Sequence, residues 1–111
     1  MKVSAIPEVI EYLEGLTTIL YEMGYFDYEE YAHRYVDDLI DDININLPLK
    51  LSKPAPEHFK KYGSNLRYAS FKKNRQTTWY VFFEIYKENE DVIYLIKHVE
   101  NNHTAARYLD M

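Results

Sequence analysis

The stretch Thr77-Thr78-Trp79-Tyr80-Val81-Phe82-Phe83-Glu84-Ile85-Tyr86 decides the fold. Trp79, Val81, Phe83 and Ile85 alternate with Tyr80, Phe82, Glu84 and Tyr86, which is the period of two that a pleated strand imposes. Both sets are largely apolar, so both faces of this strand should be covered, and it is expected at the centre of a sheet. Residues 87–91 read as a polar turn. Residues 91–99 are again rich in β-branched and aromatic side chains, and the two runs predict a hairpin. Upstream, residues 65–71 read as a shorter strand.

Earlier in the chain the period changes to that of helices. Ile6, Val9, Ile10, Leu13, Leu16, Leu20 and Met23 recur at three and four, one face of an amphipathic helix that Pro7 opens and Gly24 closes. Gly15 within it costs roughly 1 kcal/mol against alanine and is expected to allow close packing. Asp27 with Glu30 forms a variant capping box for a second helix. That helix carries the stripe Tyr28, Tyr31, Ala32, Tyr35, Val36, Leu39, Ile40 and Ile43. Two helices joined so closely predict a helical hairpin. Residues 2–6 suggest a short edge strand. Pro48, Pro54 and Pro56 mark residues 48–56 as a linker with no regular element. Asn101 and Asn102 suit a turn or cap, and residues 104–109 a last helical turn. The expectation is one α+β domain over residues 1–111. Its short N-terminal strand and helical hairpin pack on one face of an antiparallel sheet of three to four strands.

Charge is distributed by segment. Residues 1–47 carry 2 basic and 11 acidic side chains, residues 48–75 carry 8 and 1, and residues 76–111 carry 3 and 6. A net charge of -5 makes the whole chain a poor nonspecific nucleic-acid binder. The basic middle segment can still meet one specific anionic partner. There is no cysteine, hence no disulfide or thiolate site. The 3 glycines form no phosphate-cradling loop, so no cofactor is expected. His98 and His103 lack companions at ligand spacing, and Asp37, Asp38, Asp41 and Asp42 lack the pattern of a calcium loop, so no metal is expected either. The opening residues have no signal-peptide character and no apolar run could span a bilayer, so a cytoplasmic, membrane-free protein is expected. The 12 tyrosines suit core edges or a recognition surface.

Several local features carry a family resemblance. Met1-Lys2-Val3 followed by Pro7-Glu8-Val9, the prolyl stretch Lys53-Pro54-Ala55-Pro56, the run Trp79-Tyr80-Val81-Phe82-Phe83-Glu84-Ile85, the closing strand Ile93-Tyr94-Leu95-Ile96-Lys97-His98 and the end Asn101-Asn102-His103-Thr104-Ala105-Ala106-Arg107-Tyr108-Leu109 together resemble the RelE/ParE toxin superfamily. The likeness covers nearly the whole chain. It implies the growth-inhibiting half of a type II toxin–antitoxin pair, of the plasmid-stabilisation kind, neutralised by a small cognate antitoxin. Members of that superfamily either cleave messenger RNA on the ribosome or poison DNA gyrase.

Metal-independent RNA cleavage needs a base for the 2′-hydroxyl, cations around the phosphorane and an acid for the leaving oxygen. His98, Arg67 and Tyr108 are the candidates for those roles. Tyr80 stands where the ribonucleases of the superfamily commonly carry arginine, and Glu100, Asn101 and Asn102 where they carry basic residues, so a complete cleavage site does not transfer. Lys60, Lys61, Lys72, Lys73, Arg75 and Arg107 are the candidates for contact with nucleic acid or a partner protein. Inhibitory binding of a nucleic-acid-processing target is therefore the leading expectation. An active messenger endoribonuclease is the alternative, and a non-toxic binding or assembly module on the same fold is the third.

Overall fold

The strand that decided the fold, β4 (Thr78–Glu88), sits third of five in the sheet of the computed structural model, which describes residues 1–105. Its residues from Trp79 to Glu84 are all buried, as expected of a run apolar on both faces, but Ile85 and Tyr86, counted in the same run, are exposed where the β4–β5 hairpin extends beyond the core. β3 (Arg67–Lys72) and β5 (Asp91–Asn101) flank it antiparallel. The β4–β5 loop is only Asn89 and Glu90, tighter than the expected polar turn, and Asn89 takes the positive φ of 58° such a loop demands.

The sheet is larger and more mixed than expected. β1 (Lys2–Ala5) runs parallel to β5, from Lys2 opposite Ile93 to Ala5 opposite Ile96. β2 (Lys53–Pro54) pairs antiparallel with β3 at the other edge. The strand order is β1-β5-β4-β3-β2. The 48–56 segment thus holds regular structure despite its prolines. Pro48 lies at the start of a 3₁₀ turn, Leu47–Leu49, where no N–H is required, and Pro54 sits on an edge strand, which can forgo one donor.

The helices α1 (Pro7–Glu22) and α2 (Glu29–Asn46) pack on one face of this sheet. Val9, Leu16, Leu20, Val36, Leu39 and Ile43 meet Ala69, Phe71, Trp79, Val81 and Phe83. Trp79 donates its indole N–H to the Tyr35 hydroxyl at 2.9 Å, so the one polar atom of a fully buried ring is satisfied. Several expectations for the helices change. Tyr28 and Tyr31, counted in the α2 stripe, are exposed, as are Ile10 and Met23 from the α1 stripe. Tyr28 in extended conformation is the α2 N-cap and no side chain caps the helix, so the Asp27–Glu30 box does not form. Gly15 has nothing within 4 Å of where a Cβ would stand, so it serves no close contact. Gly24, at φ 80°, does terminate the first helix region in the left-handed conformation.

The opposite face of the sheet carries a second, smaller core. A 3₁₀ segment, Glu57–Tyr62, drops Phe59 onto Phe82 with ring centroids 4.4 Å apart, and Leu66, Tyr68 and Tyr80 complete the cluster. That segment covers only part of this face; the part towards the β3–β4 turn stays open. A last short helix, α3 (Asn102–Ala105), follows β5. Asn101 accepts from the His103 N–H at 3.0 Å and Asn102 from the Thr78 N–H at 3.0 Å, so these asparagines cap and tie as expected. Among the described residues no helix is long and apolar enough to cross a membrane.

Candidate functional site

His98 owes its place to a fault in the β4–β5 ladder. Phe82 pairs with His98, but Phe83 pairs with Ile96, leaving Lys97 as an extra residue on β5. Such a bulge re-aims side chains that strict alternation would send to opposite faces. Lys97 and His98 consequently both reach groups on the face away from the helices. The His98 ring stacks on Tyr62, 3.9 Å between centroids and 7° from parallel, and lies against Phe82 and Phe59. Its Nε2 donates to Glu100 Oε1 at 2.6 Å. Lys97 Nζ lies 3.4 Å from Glu84 Oε1.

Among the described residues Glu84 is the one charged group in the buried set, 7% exposed. It is fully engaged: Asn65 N–H donates to Oε2 at 3.0 Å, and the Tyr86 hydroxyl to Oε1 at 2.8 Å. Burial alone would raise its carboxyl, but the Asn65 N–H, Tyr86 hydroxyl and Lys97 ammonium outweigh that and hold it below the ordinary carboxylate value. Gly63 presses against the same carboxylate; a Cβ there would lie 3.0 Å from Cδ. The carboxylate thus pins the 63–65 loop, and with it the segment bearing Tyr62, to the sheet.

Around His98 lies a cleft of about 730 Å³. It opens where β1 ends at Ala5 while β5 runs on, so its walls are the first turns of α1, β5 and the 3₁₀ segment. Tyr12, Lys61, Tyr62 and Glu100 share it with His98. Burial, then the nearby Glu100 charge, pushes the Tyr12 phenol up. An imidazole held by a carboxylate beside an ammonium and a phenol is chemically able to move protons.

Arg67 does not join this group. It pairs across the sheet with Phe83, on the helix side, whereas His98 pairs with Phe82 on the other side. Its guanidinium is spent on Ser52, with Nε to Oγ at 2.8 Å and Nη2 to the carbonyl at 2.7 Å, so it fastens the chain leading into β2. Tyr108 and Arg107 lie outside the described residues. Lys60 pairs with Glu57 at 3.0 Å on the surface, and Lys61 sits 5.3 Å above the Tyr62 ring at the cleft.

The remaining cations gather at the other end of the sheet, Lys72 on the open part of the same face and Lys73 turned towards the helix layer. Lys72 ends β3, Lys73 lies 5.6 Å over the Tyr35 ring and Arg75 is exposed in the β3–β4 turn. The Asn74 side chain shapes that turn by accepting the Gln76 and Thr77 N–H groups, both at 2.9 Å. Beside it runs a groove of about 630 Å³ lined by Lys50, Lys53, Lys72, Ser70, Thr78 and Tyr80, with no acidic side chain. Lys50 and Lys53 were missed as site residues because the prolyl segment reads as a linker; the only sequence signal was their membership of the basic 48–75 stretch. Tyr80, the departure from arginine noted above, lies in this groove with its ring 2% exposed. Among the described residues no three His, Cys, Asp or Glu side chains gather to hold a metal ion.

Compared with known proteins, the chain matches no family model, no curated protein and no solved structure.

Proposed function

We propose that the chain is a toxin-like protein of the RelE/ParE kind that inhibits growth by binding a nucleic-acid-processing target, with a cognate antitoxin as its natural restraint. The observation that carries this reading is the acid-free lysine groove with the neighbouring Lys73 and Arg75, open on one sheet face of an otherwise acidic chain. Clustered like charge on a concave surface steers and holds an anionic partner. The order strand, two helices, antiparallel strands is compatible with that superfamily's fold. Binding is favoured over catalysis because Arg67 is turned away from His98 and already bonded to Ser52.

A second reading, a ribosome-dependent messenger endoribonuclease, draws its support from the His98–Glu100 pair in the cleft with Tyr12 and Lys61. Induction of the chain in a bacterial host, with messenger RNA end-mapping in the same cultures, separates the two. Inhibitory binding gives arrest without new codon-positioned ends. Arrest with such ends, lost in His98→Ala, establishes the ribonuclease. Normal growth removes the toxin reading and leaves a binding module on the same fold.

A further inference from the structure

We infer that the groove beside β3 receives an extended acidic segment of a partner polypeptide, which pairs its backbone with the outer edge of β3 at residues 69–72. The inference rests on the binding role proposed for this face and names the partner's chemistry. The β2–β3 ladder is only Lys53 opposite Tyr68 and Pro54 opposite Arg67. Continued by two residues, it would set Ser52 opposite Ala69 and Leu51 opposite Ser70. That continuation does not form: Arg67 draws Ser52 to itself, and the chain leaves β3, opening the groove between residues 49–53 and residues 69–72. β3 therefore runs on for four residues, Ala69 to Lys72, with no strand on its outer side among the described residues.

An unpaired edge is a template for another strand. Lysines and a proline at an edge ordinarily serve to discourage pairing, and Lys50, Lys53, Lys72 and Pro54 have that character. The leucines argue for more than protection. Leu49 and Leu51 are 72% and 97% exposed on the groove wall. A merely guarded edge has no use for two bare leucines. Together with Lys53 and Lys72, with Lys50 at the rim where its ammonium lies 4.7 Å over the Phe71 ring, and with no carboxylate, they select a strand that alternates acidic with apolar side chains, the period a pleated edge reads. Nucleic acid fits less well. Its bases need aromatic faces for stacking, and the groove's two tyrosines, Tyr68 and Tyr80, are buried at 7% and 2% exposure.

The test uses the full chain with three fluorescent probes: a short peptide alternating glutamate and valine, its lysine–valine counterpart and an oligothymidylate. Anisotropy reports binding, and amide hydrogen exchange reports the edge. The acidic peptide is expected to bind alone of the three, more weakly as salt rises, and to slow exchange within residues 69–72. Replacing Lys50, Lys53 and Lys72 by alanine is expected to weaken it about tenfold, the sum of three exposed ion pairs. Leu51→Asp, at a side chain too exposed to matter for folding, is expected to weaken it as well. Binding of the oligonucleotide in place of the peptide overturns the inference. So does peptide binding that leaves residues 69–72 unprotected or ignores the lysine variant, and so does no binding at all. None of these readouts depends on growth arrest, so the inference can fail while the inhibitory role stands, and the reverse.

Discussion

The Glu84 carboxylate is the most consequential single group in the described fold. Its partners come from three places in the chain, the 65 amide, the Tyr86 hydroxyl and the Lys97 ammonium on the bulge. Because its folded value lies below the ordinary 4.5, its contribution is fully present above that pH and is lost as pH falls through the folded value. Glu84→Gln is expected to cost ~1–3 kcal/mol at neutral pH, the scale of hydrogen bonds to a charged group. The gap between wild type and variant, followed by urea unfolding from pH 7 to acid, should close below the ordinary carboxylate range. Gly63→Ala forces a methyl to within 3.0 Å of the same carboxyl carbon and is expected to cost about 1–3 kcal/mol in the same measurement. Little of this was legible in the sequence. Glu84 showed only as the polar member of an apolar strand, and its partners became visible once the bulge at Lys97 was known. The same bulge decides which face His98 occupies, and no periodicity announces a bulge.

Elements read from long periodic runs came out well. β4 and β5 extend the expected strands by a few residues, and α1 and α2 lie where the three-and-four spacing put them. Short elements failed for physical reasons. β2 has two residues, too few to show a period, and its proline is allowed only because it sits at an edge. The Glu57–Tyr62 segment has no amphipathic repeat, yet its Phe59 is wholly buried against Phe82. Phe59→Ala is expected to destabilise the domain by about 3–5 kcal/mol in denaturant unfolding and to loosen the stack of Tyr62 on His98. A change in the His98 imidazole NMR signals in that variant would report the second effect. Arg67→Lys offers one ammonium where a fork held both the Ser52 hydroxyl and carbonyl, and is expected to raise amide exchange at residues 51–53 while leaving His98 undisturbed.

Across the whole molecule, charge is sorted in space as it is in sequence. The acidic first 47 residues supply the helices, with Asp37, Asp38 and Asp41 exposed on α2, and the basic 48–75 segment supplies the 3₁₀ segment, β2, β3 and the turn after it. The basic segment was legible as a cluster of charge; its split into two places was not. Lys61 belongs to the His98 cleft, while Lys50, Lys53 and Lys72 belong to the open groove. That split follows from the 3₁₀ segment folding over part of the sheet face, a tertiary contact. It also separates the two readings experimentally, since inhibitory binding is assigned to the groove and turn and RNA cleavage to the cleft. The most direct measurement is the growth rate of a bacterial host induced for the wild-type chain and for the Lys72→Glu, Lys73→Glu, Arg75→Glu triple variant at matched protein levels. The account predicts arrest by the wild type and near-normal growth with the variant. Equal arrest by both, or arrest relieved only by His98→Ala, would contradict it.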